Sequence, residues 1–538
     1  MAIFEIKNLN FTYARAKCKA IDNLSLEIEA GSFCVICGKS GSGKSTLIRL
    51  LKNEVAPQGE LSGEILYDNI PLKCISDRVS VTDIGFVHQD VDSGLVCDKV
   101  WKELAFGLGN LGYNDDYIGA RIAEISEYFG ISKWYNKKIS ELSGGSKQIV
   151  SLASVMTMNP KVLLLDEPTS MLDPISKKNF INLLNRINKE LGITIIMVEH
   201  NLESVFDIAS NIIVLDSGKL IANCTPYCLP KSLVEYDCLK YIGLPEFAEV
   251  YTLFGNEKMP NTIENKRAWL KSVIGDSNQN LIKKVDNNFN NENVLTAENL
   301  YFRYDKKGED IVKGASIKLN KGEIICLLGG NGGGKTTFIN LLNGIFKAYS
   351  GKVKIDKNCK VATLPQNAKS LFVESSVENE LSVFAKLLKI DKDKVQSLLE
   401  KFDLIGIREQ HPYDISGGEV QRLALAKLFL VNPDILILDE PTQCMDMLSK
   451  EYLINLLLQS KIQGKSVIVV THDLRFTSMI ADKVGMFFDG KIVALDSASN
   501  FFESNNMYTT ESSYLTRDFE KGLYSVEKII NRIKNNLC

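Results

Sequence analysis

The chain has 538 residues, 45% of them hydrophobic, 24% charged and 8% aromatic, with a formal net charge of −3. That length suggests two or more domains, each with its own core, and the charge gives no support to nucleic acid as a main partner. No apolar run reaches the roughly 18 residues that a membrane-crossing helix needs, and Met1–Ile6 has no basic region leading into an apolar stretch, so neither a span nor a secretory signal is expected.

Phe4–Phe11 and Leu24–Glu29 alternate apolar and polar residues, as half-exposed antiparallel strands do. Tyr13 closes the first of them. An aromatic there can stack on an adenine or be an ordinary strand-end tyrosine. Phe33–Cys37 is a continuous apolar run and reads as a buried strand; Thr46–Lys52 reads as a helix. Between them, Gly38 to Thr46 fits G-x-x-x-x-G-K-[ST], a phosphate-binding loop. Gly38, Ser40, Gly41 and Gly43 let the backbone curl until several N–H groups point at one anion, and the helix that follows adds the positive end of its dipole. In that frame Lys44 reaches the β and γ phosphates and the Ser45 hydroxyl holds Mg²⁺.

A strand pair is expected around Gly63–Tyr67. The short strand Ile84–Val87 then leads to Gln89, which can touch Mg²⁺ or an attacking water, or be a surface glutamine. Val100, Trp101, Leu104, Ala105 and Leu108 recur at helical spacing. Ser143, Gly144, Gly145 and Ser146 open a helix expected to run to about Asn159, and form a second anion site by the same dipole argument. Val162–Leu165 is a buried parallel strand ending in Asp166 and Glu167, where ligand sites of open α/β sheets lie. Asp166 there would hold Mg²⁺ and Glu167 would polarise a water against the γ-phosphate. Ser170-Met171-Leu172-Asp173 follows, and the strand Thr194–Val198 ends at Glu199 and His200, a histidine placed to contact the γ-phosphate.

The second half repeats the order. Its phosphate loop contains Gly329, Asn331, Gly332, Gly334, Lys335, Thr336 and Thr337. Gln366 takes the glutamine position, Ser416, Gly417, Gly418 and Glu419 the helix start, Asp439 and Glu440 the strand tip, His472 the late histidine and Tyr304 the place of Tyr13. The second copy is shorter by about 18 residues, mostly between the phosphate loop and the glutamine. Residues 1–243 therefore form one unit, 244–293 a connecting segment with an Asn-rich linker at Asp286–Asn291, and 294–538 a second unit with a helix at Val526–Ile533 in its tail. The twelve cysteines offer only Cys224, Cys228 and Cys238 as a cluster, with no histidine near, and read as buried or free cytosolic thiols rather than a metal site.

These parts, in this order and twice over, resemble the ATP-binding cassette (ABC) ATPases along nearly the whole chain. The resemblance implies an α/β fold of two P-loop NTPase cassettes, each a RecA-like core with an antiparallel β subdomain and a helical signature subdomain. It implies ATP and Mg²⁺ as cofactors, the latter at Ser45, Gln89 and Asp166 and at Thr336, Gln366 and Asp439. It further implies an intrachain pseudo-dimer in which each ATP lies between one phosphate loop (Walker A) and the opposite signature. Lys44's site would be closed by Ser416–Glu419, and Lys335's site by Ser143–Ser146. The sequence departs from the family at Ser146 and Ile149, where glutamine and arginine are usual, and at Gln443-Cys444-Met445-Asp446, where Ser-Ala-Leu-Asp is common.

Val100-Trp101-Lys102-Glu103-Leu104-Ala105-Phe106-Gly107-Leu108 and Asn110-Leu111-Gly112 are similar to the ATPase of energy-coupling factor (ECF) transporters; Ser376–Leu381 keeps a trace of that pattern. That resemblance implies a membrane T-component docking near Gln89 and Gln366, a membrane S-component that binds a vitamin or metal ion, and a place at the cytoplasmic face of the cell membrane. Two other readings use the same cassettes. A soluble ABC-F-type translation factor would need a strongly basic arm between them, and the connecting region mixes Glu246, Glu249, Glu257, Glu264 and Asp276 with its lysines. The other is the ATPase of a sugar or peptide importer; tandem sugar-importer ATPases usually have a degenerate second phosphate loop, whereas Gly329–Thr336 is intact.

Overall fold

A computed structural model describes the chain apart from Arg15, Lys17, Met171, residues 236–241, 256–258 and 276–291, Asn331, Cys444 and Cys538. Asp286–Asn291, Cys238, Asn331 and the central residues of both Asp-ended loops, Met171 and Cys444, thus lie outside the described residues. The chain divides into two units, Met1–Asn261 and Thr262–Cys538.

In the first unit, β1 (Ala2–Tyr13), β2 (Ile21–Glu29), β4 (Gly59–Tyr67) and β5 (Ile70–Pro71) form an antiparallel sheet in the order β2-β1-β4-β5. The second sheet contains β3 (Phe33–Gly38), β6 (Ile84–Val87), β7 (Val162–Asp166), β8 (Thr194–Val198), β9 (Asn211–Asp216) and β10 (Lys219–Cys224), ordered β10-β9-β3-β8-β7-β6. All its pairings are parallel except β9 with β10. Every residue of β3, β7 and β8 is buried, which accounts for the unbroken apolar runs, since both faces of these strands are covered. The helix Lys44–Leu50 lies between the sheets: its Leu47, Ile48 and Leu50 share one core with Phe4, Leu9 and Phe11 of β1 and with Ile36, Leu164 and Ile196.

In the second unit, β11 (Asn293–Phe302), β12 (Val312–Asn320) and β14 (Ser350–Ile355) form an antiparallel sheet ordered β12-β11-β14. β13 (Ile324–Leu328), β15 (Val361–Leu364), β16 (Ile435–Asp439), β17 (Ser466–Val470), β18 (Lys483–Phe488) and β19 (Lys491–Ser497) follow the order β15-β16-β17-β13-β18-β19, mirroring the first unit. The shortening falls where β5 and the helix Asp77–Asp83 stand in the first unit.

Strand order explains the site. β3, β8, β7 and β6 are neighbours and parallel, so the residues just past their C-terminal ends emerge side by side: the phosphate loop, His200, Glu167 and Gln89. The helices that follow are capped as their sequences require. Asp173 accepts from the N–H groups of Ile175 and Ser176, both at 3.1 Å, at the start of Pro174–Leu191, and Gly192 ends that helix with φ 68°.

Three elements differ from the sequence reading. The helix from Gly144 ends at Met156 rather than Asn159, which takes φ 59° ahead of Pro160. The connecting region carries two helices, Glu246–Phe254 in the first unit and Ile263–Ile274 in the second. The second of these packs on the tail, where Lys266 pairs with Glu511 at 3.2 Å and Arg267 with Asp518 at 2.6 Å, and Leu270 and Ile274 are buried. The tail helix runs Val526–Leu537, joined by Ala498–Ser504 and Glu511–Thr516, neither of which the sequence pattern signalled. Among the described residues no helix is long and apolar enough to cross a membrane.

Candidate functional site

Gly43 and Gly334 end the two phosphate loops at φ 97° and 96°. A side chain there would meet the Ala20 carbonyl at 2.4 Å or that of Ile311 at 2.7 Å, so only glycine allows the turn into the helix. Both lysines fold over their loops. Lys44 Nζ donates to the carbonyls of Gly38 and Lys39 at 2.9 and 2.8 Å, and Lys335 Nζ to those of Gly329 and Gly330, both at 2.9 Å. Tyr13 and Tyr304 share a hydrogen bond with Thr46 and Thr337, at 2.9 and 3.0 Å, so each aromatic stands on its own phosphate-loop helix with its ring partly exposed.

Glu167 and Glu440 take φ 46° and 50°. This left-handed backbone costs a non-glycine residue about 1–2 kcal/mol, and both copies keep it, turning the chain out of β7 and β16 at the acid. In the first unit the Glu167 carboxylate is gripped at both oxygens: Oε1 lies 2.7 Å from His200 Nε2, and Gln89 Nε2 donates to Oε2 at 3.0 Å. Burial pushes this carboxyl up, but the His200 hydrogen bond and the charges of His200 and Lys44 outweigh that and hold it below the usual range. In the second unit His472 Nδ1 stands 2.9 Å from Glu440 Oε2, while Gln366 is exposed.

The neighbouring acids differ more. Asp166 accepts from Ser45 Oγ at 2.8 Å and from Arg49 Nη2 at 3.2 Å. Burial raises its carboxyl, against the pull of Ser45 and Arg49. Asp439 is 2% exposed, and neither of its carboxylate oxygens has a hydrogen-bond partner. Burial drives it up to about 6, with the Glu440 charge adding to the rise and the Thr336 hydroxyl and the Lys335 charge opposing it. Hydroxyl and carboxylate oxygens suit Mg²⁺, and an orphaned buried carboxylate beside the phosphate loop fits that ion. Among the described residues no three His, Cys, Asp or Glu side chains gather where they could hold a metal ion.

Ser143 and Ser416 cap their helices. Ser143 Oγ accepts from the Ser146 N–H at 3.3 Å and lies 2.9 Å from the Ser146 hydroxyl. Ser416 Oγ accepts from the Glu419 N–H at 3.4 Å, and Glu419 Oε2 reaches back to the Ser416 N–H at 2.8 Å, a reciprocal box that Ser146 cannot form with a carboxylate. Gly144 and Gly417 open these two helices, with Gly145 and Gly418 behind them. Among the described residues, no hydrogen bond joins Ser143 or Ser416 to the phosphate loop of its own unit.

Sequence reasoning missed Arg49, whose signal was its place one turn after Ser45 on the same helix face. It also missed what Glu103 and Glu380 do. Each is buried on the helix after the glutamine loop and holds two backbone N–H groups of that loop: Glu103 takes those of Val96 and Cys97 at 3.0 and 2.7 Å, and Glu380 those of Val373 and Glu374. The residues so held, Val96 and Val373, are 68% and 87% exposed.

The model of the family described as "ABC transporter" matches residues 21–170 and 312–443. A protein of Bacillus thuringiensis subsp. konkukian named as an ABC transporter ATP-binding protein is 36% identical over 526 residues, covering 95% of each chain. A protein of Bacillus subtilis named for HMP/thiamine import ATP binding is 30% identical over 519 residues, covering 92% of each. The solved archaeal ribosome recycling factor aABCE1 shares the fold at a TM-score of 0.62 and 21% identity, over 96% of this chain and 99% of that one.

Proposed function

The chain belongs to the ABC transporter family as a tandem ATP-binding protein and ATPase, and from that premise we propose that it powers micronutrient uptake through a separate membrane complex of the ECF type. The observation that carries this reading is the end-to-end likeness to the HMP/thiamine import relative. The pattern Val100–Leu108, and the exposed apolar Val96 and Val373 that follow Gln89 and Gln366 in the chain, support it. The chain would lie at the cytoplasmic face of the membrane, against a T-component at those two loops, with an S-component supplying the substrate site.

Each copy contributes half of two ATP sites. Lys44 and Lys335 take the β and γ phosphates, and the backbone N–H groups of their loops orient them. Ser45 with Asp166, and Thr336 with Asp439, would hold Mg²⁺, joined by Gln89 and Gln366. When bound, that ion neutralises phosphate charge. Glu167 and Glu440 draw a proton from the water that attacks the γ-phosphorus as the bridging P–O bond breaks to leave ADP and phosphate. His200 holds the Glu167 carboxylate, His472 stands beside that of Glu440, and both would face the γ-phosphate. Tyr13 and Tyr304 border the base. By the family resemblance, signature residues Ser143–Ser146 and Ser416–Glu419 would complete the site opposite their own, which would make a closed pair of cassettes the hydrolytic unit.

The test is purification of the tagged full chain from solubilised membranes, followed by mass identification of what accompanies it. A small hydrophobic subunit together with a larger membrane protein is the expected outcome. Salt-sensitive sedimentation with ribosomes, and no membrane protein in the eluate, would refute the uptake reading.

A further inference from the structure

Ser45 and Arg49 stand four residues apart on the helix Lys44–Leu50, so their side chains leave the same face. Both reach one carboxylate. Ser45 Oγ engages Asp166 Oδ1 at 2.8 Å and Arg49 Nη2 engages Oδ2 at 3.2 Å. The Asp166 side chain is wholly buried, while that of Arg49 is 41% exposed. The guanidinium therefore enters from the solvent side and can withdraw to it.

The second copy has Thr336 and Asn340 at these two positions of the helix Lys335–Leu342. Asparagine is shorter than arginine and carries no charge. Asp439 is as deeply buried as Asp166, yet both of its oxygens lack a hydrogen-bond partner. The two strand-tip acids thus differ before any ligand arrives: one accepts hydrogen bonds from a hydroxyl and a guanidinium, and the other has none on either oxygen.

A divalent cation bound at either site needs that carboxylate. At Asp166 it competes with a charge-assisted hydrogen bond already formed; at Asp439 it meets a buried acid with no hydrogen bond on either oxygen to displace. We propose that Arg49 is a selectivity residue that makes the Lys44 site the weaker of two divalent-cation sites, so that cation and nucleotide fill the Lys335 site first. The proposal rests on reading both copies as Mg²⁺-nucleotide sites. It assigns the order of filling to one side chain rather than to the signatures or the loops.

Mn²⁺ serves as the probe, with a non-hydrolysable ATP analogue at saturation and the full chain. Free Mn²⁺ is counted by electron paramagnetic resonance, so the readout is binding and not turnover. The wild-type chain should show two classes of one ion each, separated by about tenfold in affinity, the scale of one charge-assisted hydrogen bond. Arg49→Asn, which installs the side chain the second copy already carries, should merge both ions into the tighter class. Asn340→Arg should merge them into the weaker class, and carries the test alone should Arg49→Asn fail to fold. A single class in the wild-type chain, or two classes unmoved by either substitution, overturns the role of Arg49 while leaving the nucleotide sites standing. No nucleotide-dependent Mn²⁺ uptake at all would overturn both.

Discussion

His200 Nε2 lies 2.7 Å from Glu167 Oε1, at the ends of adjacent parallel strands β8 and β7. The imidazole and the Gln89 amide together use both oxygens of that carboxylate, leaving its orientation set before substrate binds. If Glu167 and Glu440 act as the bases of their sites, replacement by glutamine keeps the shape and removes the proton acceptor. Glu167→Gln and Glu440→Gln should each lower steady-state ATP hydrolysis strongly, by about 10²–10⁴-fold where the base dominates. Full activity in either variant would remove that glutamate from the chemistry.

Crossed pairing makes a sharper demand. With Lys335→Ala silencing one phosphate loop, the remaining hydrolysis belongs to the Lys44 site, which the second signature should close. Adding Gly417→Asp, which places a carboxylate at the start of the helix Gly417–Leu430, should abolish what remains. Unchanged residual hydrolysis in the double variant would count against the composite site.

Lys427 Nζ lies 2.7 Å from Glu380 Oε2 and donates to the Leu371 carbonyl at 2.7 Å, tying the signature helix to the loop that presents Val373. The Glu380 carboxylate is fully buried and also serves two backbone N–H groups. Lys427→Met leaves a buried charge uncompensated, and unfolding in urea should show a loss of about 3 kcal/mol in the second unit. The first copy has Ser154 at the matching position. Ser154→Met should move stability far less.

Asp473 pairs with Lys450 at 2.6 Å and caps the helix Leu474–Ile480 through the Phe476 N–H at 2.9 Å. Burial would push its carboxyl up, but Lys450, the Phe476 N–H and His472 outweigh this and hold it down to about 2, from an ordinary 3.8. A lowered acid contributes stability that is present above its unfolded value and lost as pH falls through its folded value. Some 2 kcal/mol should therefore disappear between about pH 4 and pH 2. Asp473→Asn should cost about that much near neutral pH and flatten the acid limb of thermal unfolding. An unchanged acid limb would assign the pair no such weight.

Much of this protein is legible one short stretch at a time. The phosphate loops, the all-apolar strands ending in Asp-Glu and the serine-capped glycine helices are set by backbone geometry within a few residues. Their order therefore marks two nucleotide-binding units without reference to distant contacts. Elements without such local chemistry were not legible. The helix Ile263–Ile274 holds its place by burying Leu270 and Ile274 and by pairing with Glu511 and Asp518, residues about 250 positions away.

The amino-acid sequence by itself determined which side chains stand at the two strand tips and the two phosphate loops, because turn geometry, strand burial and helix starts are local. Only the tertiary structure decided how those side chains are satisfied. Arg49 and Asp166 are far apart in the chain, and they meet because a helix packed between two sheets aims one face at the end of β7. The same packing with Asn340 leaves Asp439 buried with no hydrogen bond on either oxygen. Two copies nearly identical in motif thus differ in charge balance at their centres, because side-chain reach and burial across the fold, and not motif identity, set the electrostatics of each site.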